Sequence, residues 1–132
     1  MTTELTMLTW TVGLTGLLWL PYIIAQSKVS GTVGALGYGY KGPLEPLPAW
    51  AERAKAHHHN AVENLVLFAA LVITAHLAEA TNEATASAAI AYFWLRAAHY
   101  AVFTANIPFA RTLTFAGSWL AQVCILYQIL IG

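Results

Sequence analysis

Residues 51–78 have the sequence AERAKAHHHNAVENLVLFAALVITAHLA, in which a polar segment passes without a break into an apolar one. Pro48, just before it, suits the first turn of a helix. From Asn64 to Ala78 there is no Asp, Glu, Lys or Arg, which gives the predicted helix an apolar length able to enter a bilayer. Charged side chains in a membrane helix are costly, so those at the start of this one indicate a functional site.

The composition of the whole chain is typical of a membrane protein. Hydrophobic residues make up 58% and charged residues 9% of the sequence, and the mean hydropathy is +0.60. Soluble domains carry about 25% charged residues. Four spans of roughly 20 residues each would use most of the 132 residues, so we expect a single membrane domain over 1–132. The net charge of zero argues against a nucleic-acid partner.

The pattern of apolar runs and breaks predicts an all-α, four-transmembrane-helix antiparallel bundle, because the later connections are short. Pro21 should kink the first helix near its end. The Asn-Ile-Pro run at 106–108 should end the third helix. The predicted helices are 5–27, 49–79, 85–106 and 112–131, with a Gly- and Pro-rich loop at 28–48.

The basic residues predict an orientation in the membrane. Five of the six Lys and Arg residues lie in or near the first-to-second and third-to-fourth connections: Lys28, Lys41, Arg53, Lys55 and Arg111. By the positive-inside rule, these connections face the cytoplasm and both termini face away from it. The small size of the chain favours the bacterial cytoplasmic membrane over that of an organelle.

A polar stripe lies along the second helix. At about 100° per residue, Arg53 and Asn60 lie about 20° apart around the axis, and Glu63 flanks the same face. A guanidinium fork suits the carboxylate of a ligand. The same residues also suit an interhelical salt-bridge network that only holds the bundle together, with Glu63 paired to Arg53 or Arg96. Both readings remain open at this stage.

A second polar group lies on the third helix and just beyond it. Arg96 and His99 share a helix face, and Arg111 follows the break at 106–108. The arginines of the two groups outnumber Glu63, so the excess positive charge favours an anionic small molecule over a metal ion.

The three consecutive histidines at 57–59 resemble a metal site, but their geometry argues against one. Consecutive helical residues point about 100° apart, so three of them cannot meet one ion. His59 and Glu63 together supply two ligands, whereas a structural zinc site needs four. We therefore predict no metal site.

Two segments resemble signatures of the MAPEG family, the membrane-associated proteins of eicosanoid and glutathione metabolism. The second-helix segment is Glu52-Arg53-Ala54-x-x-x-His58-x-Asn60-x-x-Glu63-Asn64-x-x-x-Phe68. The third-helix segment and the loop after it form the second signature, Arg96-x-x-His99-x-x-x-Phe103-x-x-x-x-Pro108-x-x-Arg111-x-x-x-Phe115. The two segments occur in the order and in the helices that the family uses.

The resemblance implies a homotrimer that binds glutathione between neighbouring subunits, near the cytoplasmic side. Arg111 would stabilise the glutathione thiolate and is the candidate catalytic residue. Lys28 ends the first helix, where many members place a basic residue from the adjacent subunit. The residues expected to bind glutathione are Arg53, Asn60, Glu63, Arg96, His99, Arg111 and Lys28.

The resemblance predicts a glutathione-dependent transferase or peroxidase that acts on hydrophobic electrophiles or lipid peroxides in the bilayer. Two departures from the family pattern favour an alternative, a non-catalytic membrane binding or scaffold protein. Ala56 stands where arginine is frequent, and Phe103 stands where many members have tyrosine. Tyr100 and Thr112 are the nearest candidates to supply the missing hydroxyl. A small transporter is less favoured, because the helices lack pairs broken by Gly or Pro.

Overall fold

A computed structural model describes residues 1–31, 35 and 46–132 of the chain. The residues it describes are helical apart from turns and short connections, which confirms the predicted all-α class. Most of the loop predicted at 28–48 falls on residues outside the described ranges. The described helices are α1 (Thr3–Leu17), α2 (Trp19–Ser30), α3 (Ala49–Leu77), α4 (Glu83–Thr104) and α5 (Pro108–Leu130).

The first span is interrupted at Leu18, between α1 and α2. The two helices together form one candidate membrane span of 28 residues, Thr3–Ser30. The break has its cause in Pro21, which has no N–H for the carbonyl of Leu17 and whose ring crowds that carbonyl. The structure therefore shows the disturbance expected from Pro21 as a break in the helix at Leu18. It lies one turn before the proline, and α2 then continues to Ser30.

Local backbone chemistry sets the ends of the later helices. Asn82 caps α4 in a capping box with Thr85, so α4 begins at Glu83, two residues before the predicted start. After α4 ends, Asn106 has a positive φ of 59°, a conformation that asparagine tolerates. Pro108 then starts α5, four residues before the predicted start, because its fixed φ suits the first helical position.

Small residues let the helices pack closely around one apolar core. α5 packs most extensively on α4, and α1 packs against α3 and α4. The rings of Phe68 from α3 and Tyr92 from α4 stack at 3.9 Å between centroids with 12° between their planes. The buried core residues are Leu8, Phe68, Val72, Ala75, Ala88, Ala89, Tyr92, Ala121 and Ile125.

The exterior of the bundle is apolar. Three of the described helical segments are long and apolar enough to cross a membrane, at Thr3–Ser30, Ala49–Leu77 and Pro108–Leu130. The remaining long helix, α4, packs between them and turns Arg96 and His99 inward, where both are buried. Large hydrophobic side chains cover the outside, as expected for a surface that meets lipid or another subunit.

Candidate functional site

Polar side chains of α3 and α4 meet at the end of the bundle where α4 leads into α5. Arg96, only 3% exposed, donates from Nη2 to Oδ1 of Asn60 at 2.7 Å. The backbone carbonyl of Asn60 accepts a hydrogen bond of 2.9 Å from Nδ2 of Asn64, one turn further along α3. The amide of Asn60 thus fixes the guanidinium of Arg96 between the two helices.

The first turn of α5 holds Arg111. Its Nη1 donates to Oδ1 of Asn106 at 3.0 Å, and its guanidinium carbon lies 4.2 Å from the ring centroid of Phe103. This distance is typical of a cation–π contact. The positive φ of Asn106 and the start of α5 at Pro108 bring the side chains of the turn back toward α4.

A cavity of about 320 Å³ opens beside Arg111. Its volume lies within the usual range of small-molecule sites. Its wall combines a guanidinium, an imidazole, an amide and a hydroxyl with apolar rings, and it contains no carboxylate from the described part of the chain. The positive charge and the mixture of donors suit an anionic ligand with an apolar part. The lining residues are Asn60, His99, Phe103, Pro108, Arg111, Thr112 and Phe115.

Arg53 lies beyond the wall of this cavity. Its Nε donates to the backbone carbonyl of Thr104 at 2.9 Å. Thr104 is the last residue of α4, where a cation meets carbonyl groups that have no helical partner. Arg53 thus binds the start of α3 to the end of α4.

Glu63 and Lys28 are exposed and do not line the cavity. The alternative in which Glu63 pairs with Arg53 or Arg96 is wrong for the described residues, because both arginines donate to neutral oxygens. Of the seven residues predicted to bind glutathione, the structure brings Asn60, Arg96, His99 and Arg111 together. In one chain it leaves Arg53, Glu63 and Lys28 outside the cavity.

His57 is a buried member of the site that the sequence analysis did not identify. It is 1% exposed, and its ring packs 4.9 Å from that of His99 and 5.2 Å from that of Tyr100, between centroids. The sequence contains a signal for this position, because His57 lies four residues after Arg53 and three before Asn60, on the same helix face. The run of three histidines obscured this signal.

The two candidates for the missing hydroxyl take different positions. Thr112 lines the cavity next to Arg111, whereas Tyr100 packs on His57 behind it. His58, which belongs to the second-helix signature, meets the hydroxyl of Tyr22 with its Nδ1 at 2.9 Å. That contact joins α2 to α3 rather than contributing to the cavity.

Comparison with known proteins identifies the family of this chain. A model of the MAPEG family matches residues 7–131 of the 132-residue chain. No curated protein and no solved structure matches it. The family match covers both signature segments and all or most of every described helix. Both signatures contribute residues to the site: Asn60, Arg96, His99 and Arg111. The chain belongs to the MAPEG family.

Proposed function

We propose that this protein catalyses a glutathione-dependent reaction, of the transferase or peroxidase type, on hydrophobic electrophiles or lipid peroxides at the membrane. Its family contains membrane-associated proteins of glutathione and eicosanoid metabolism, non-catalytic members among them. The observation that carries the proposal is Arg111, which borders a cavity of about 320 Å³ whose described lining contains no carboxylate.

The chemistry of glutathione suits this cavity. At neutral pH the tripeptide carries two carboxylates and one ammonium group, so it is a net anion. Asn60, His99 and Arg111 offer an amide, an imidazole and a guanidinium to it. A guanidinium beside the thiol lowers the pKa of that thiol, which enlarges the thiolate fraction. Because the thiolate is the nucleophile, attack on an electrophile needs little further machinery.

The exposed positions of Glu63 and Lys28 support a site shared between subunits. Both have charged side chains at the surface of one chain, in or beside segments apolar enough to cross a membrane. Such charges are costly unless they meet partners. In the homotrimer that we propose, they face the neighbouring subunit and take part in binding glutathione. The apolar rings of Phe103 and Phe115 would meet a lipophilic substrate arriving from the bilayer.

The proposed location follows the charge pattern. The cavity lies at the end of the bundle that carries Arg53, Lys55 and Arg111, so we propose that it opens on the cytoplasmic side. Both termini then lie on the opposite side, and the membrane is the bacterial cytoplasmic one.

Equilibrium binding of glutathione to the detergent-solubilised protein tests the proposal. We expect millimolar or tighter binding that falls at least tenfold in Arg111→Gln, a loss of about 1.4 kcal/mol. The matched control is Lys55→Gln, which removes an exposed positive charge from α3 and should leave the affinity unchanged. A folded protein that binds no glutathione at millimolar concentration contradicts the proposal.

One observation favours the non-catalytic alternative. Phe103 has no hydroxyl and is covered by the guanidinium of Arg111, which leaves Thr112 as the hydroxyl side chain among the described lining residues. This alternative predicts glutathione binding without turnover. A conjugation assay with a chloronitrobenzene and a reduction assay with a lipid hydroperoxide distinguish the two. Turnover that is lost in a folded Arg111→Gln variant supports the enzyme.

A further inference from the structure

Behind the cavity, three nitrogen-bearing side chains are buried without enough partners. His57, Arg96 and His99 are 1%, 3% and 3% exposed, respectively. Four of their nitrogen atoms make no hydrogen bond within the described part of the chain. These atoms are Nδ1 and Nε2 of His57, Nη1 of Arg96 and Nδ1 of His99.

The burial of the charged Arg96 side chain is energetically costly with the contacts that it makes. Its one hydrogen bond to a side chain in the described ranges is to Oδ1 of Asn60, a neutral atom. A buried charge normally has an ionic partner and further hydrogen bonds, because removal from water costs several kcal/mol. Asn60 satisfies one of the five N–H groups of the guanidinium and none of its charge.

The two imidazoles lie next to each other and next to Arg96. The ring centroids of His57 and His99 are 4.9 Å apart. Arg96 is close enough to both rings to act on them electrostatically. His99 also lines the open cavity, whereas His57 does not, so the group extends from the cavity wall into the bundle.

The donors in this group favour an anion over a metal ion. A guanidinium repels a cation and can only donate hydrogen bonds. The described residues contain no cluster of three His, Cys, Asp or Glu side chains able to hold a metal. A neutral imidazole offers one N–H, so the two histidines and Nη1 of Arg96 leave several donors available for an anion.

We propose that His57, Arg96 and His99 form a buried binding site for one small anion of the carboxylate type. His57 distinguishes this site from the glutathione cavity, because it occupies an unspecified position of the second-helix signature and lies outside the cavity wall. The occupant is either a free monovalent anion or a carboxylate of the ligand that enters the cavity. Only the second source rests on the proposed function.

Formate is the probe, and thermal unfolding of the detergent-solubilised protein is the readout. Sodium formate is titrated against sodium gluconate at equal ionic strength, since gluconate is a much larger carboxylate. We expect formate to raise the unfolding midpoint in a saturable manner. The dissociation constant for formate should weaken at least tenfold in His57→Leu and be partly retained in His57→Gln.

Two control variants show whether the formate response comes from this site. His59→Leu makes the same chemical change at an exposed neighbour and should respond to formate as the unmodified protein does. Lys55→Gln removes an exposed positive charge from α3 and should also retain the response. An absent response in the unmodified protein overturns the proposal, and so does an equal response in His57→Leu. If His57→Leu does not fold, His57→Gln and Lys55→Gln still give the comparison.

Competition with glutathione identifies the source of the anion. Formate that weakens glutathione binding shows that a ligand carboxylate enters the site, whereas independent binding shows a separate small-anion site. Formate binding in a protein that does not bind glutathione supports the buried site and contradicts the proposed function. Glutathione binding without any formate response supports the proposed function and overturns the buried site.

Discussion

The guanidinium of Arg111 lies 4.2 Å from the ring centroid of Phe103, and its Nη1 donates to Asn106 at 3.0 Å. The aromatic ring thus acts as a platform for the cation, where a tyrosine would also offer a hydroxyl. This member of the family has the platform without the hydroxyl. The position of Arg111 beside the cavity therefore depends on the face of this ring.

Replacing Phe103 by leucine removes the platform but keeps an apolar side chain. A cation–π contact at a partly exposed site contributes about 0.5–1 kcal/mol. We therefore expect Phe103→Leu to weaken glutathione binding about two- to fivefold, measured by titration calorimetry in detergent. Phe109→Leu is the control, since Phe109 is exposed on the outside of α5. Equal affinities for the Phe103 variant and the unmodified protein would contradict the platform role.

Asn60→Ala should destabilise the bundle strongly. The substitution leaves the buried guanidinium of Arg96 without its acceptor, and losing a hydrogen bond from a charged group costs about 1.5–3 kcal/mol. We expect a large fall in the thermal unfolding midpoint. Asn64→Ala removes only a neutral hydrogen bond within α3, worth about 1 kcal/mol, and is the matched control. Similar midpoints for the two variants would show that Arg96 takes another acceptor.

Arg53→Ala separates a structural role from a binding role. Arg53 donates to the carbonyl of Thr104, and a hydrogen bond from a charged group contributes about 1.5–3 kcal/mol. We expect this variant to lose more stability than Arg111→Gln and less affinity for glutathione. Lys55→Ala controls for the loss of charge on α3. The opposite order of effects would mean that Arg53 reaches the ligand from the start of α3.

Thr85→Val should lower stability without changing glutathione affinity. The hydroxyl of Thr85 donates to Oε1 of the buried Glu4 at 2.6 Å and completes the cap of α4. Its loss leaves a buried carboxylate without that partner, at a cost of about 1–3 kcal/mol. Thr9→Val, at an exposed position on α1, is the control. A change in glutathione affinity in Thr85→Val would show that this end of the bundle is coupled to the cavity.

Much of the fold was predictable because its signals are local. Long apolar runs predicted the helices, and Pro21, Asn106 and Pro108 predicted where regular hydrogen bonding fails. The errors in the predicted helix boundaries also have local causes. Proline disturbs the turn before it, which moved the break to Leu18, and it suits a helix start, which moved the beginning of α5 to Pro108.

The candidate site was predictable only in part. Helical spacing placed Arg96 and His99 on one face of the third helix, but it suggested Glu63 as the partner of Arg96, which in the structure is Asn60. Periodicity does not say which of several acceptors an arginine takes, so the backbone carbonyl of Thr104 could not be foreseen as the partner of Arg53. The burial of His57 could not be predicted from periodicity. It results from the contact between α3 and α4, which places the ring of His57 against that of His99.

The hydrogen-bond acceptors of the three arginines affect the rate at which a ligand binds. Arg53, Arg96 and Arg111 donate to a backbone carbonyl and two side-chain amide oxygens, not to carboxylates. Among the described residues, an arriving anion therefore has no internal carboxylate to displace. The electrostatic potential of the three cations also extends beyond the cavity and acts on the anion before it binds. Capture of the ligand should be fast at low ionic strength and should slow as salt screens that potential.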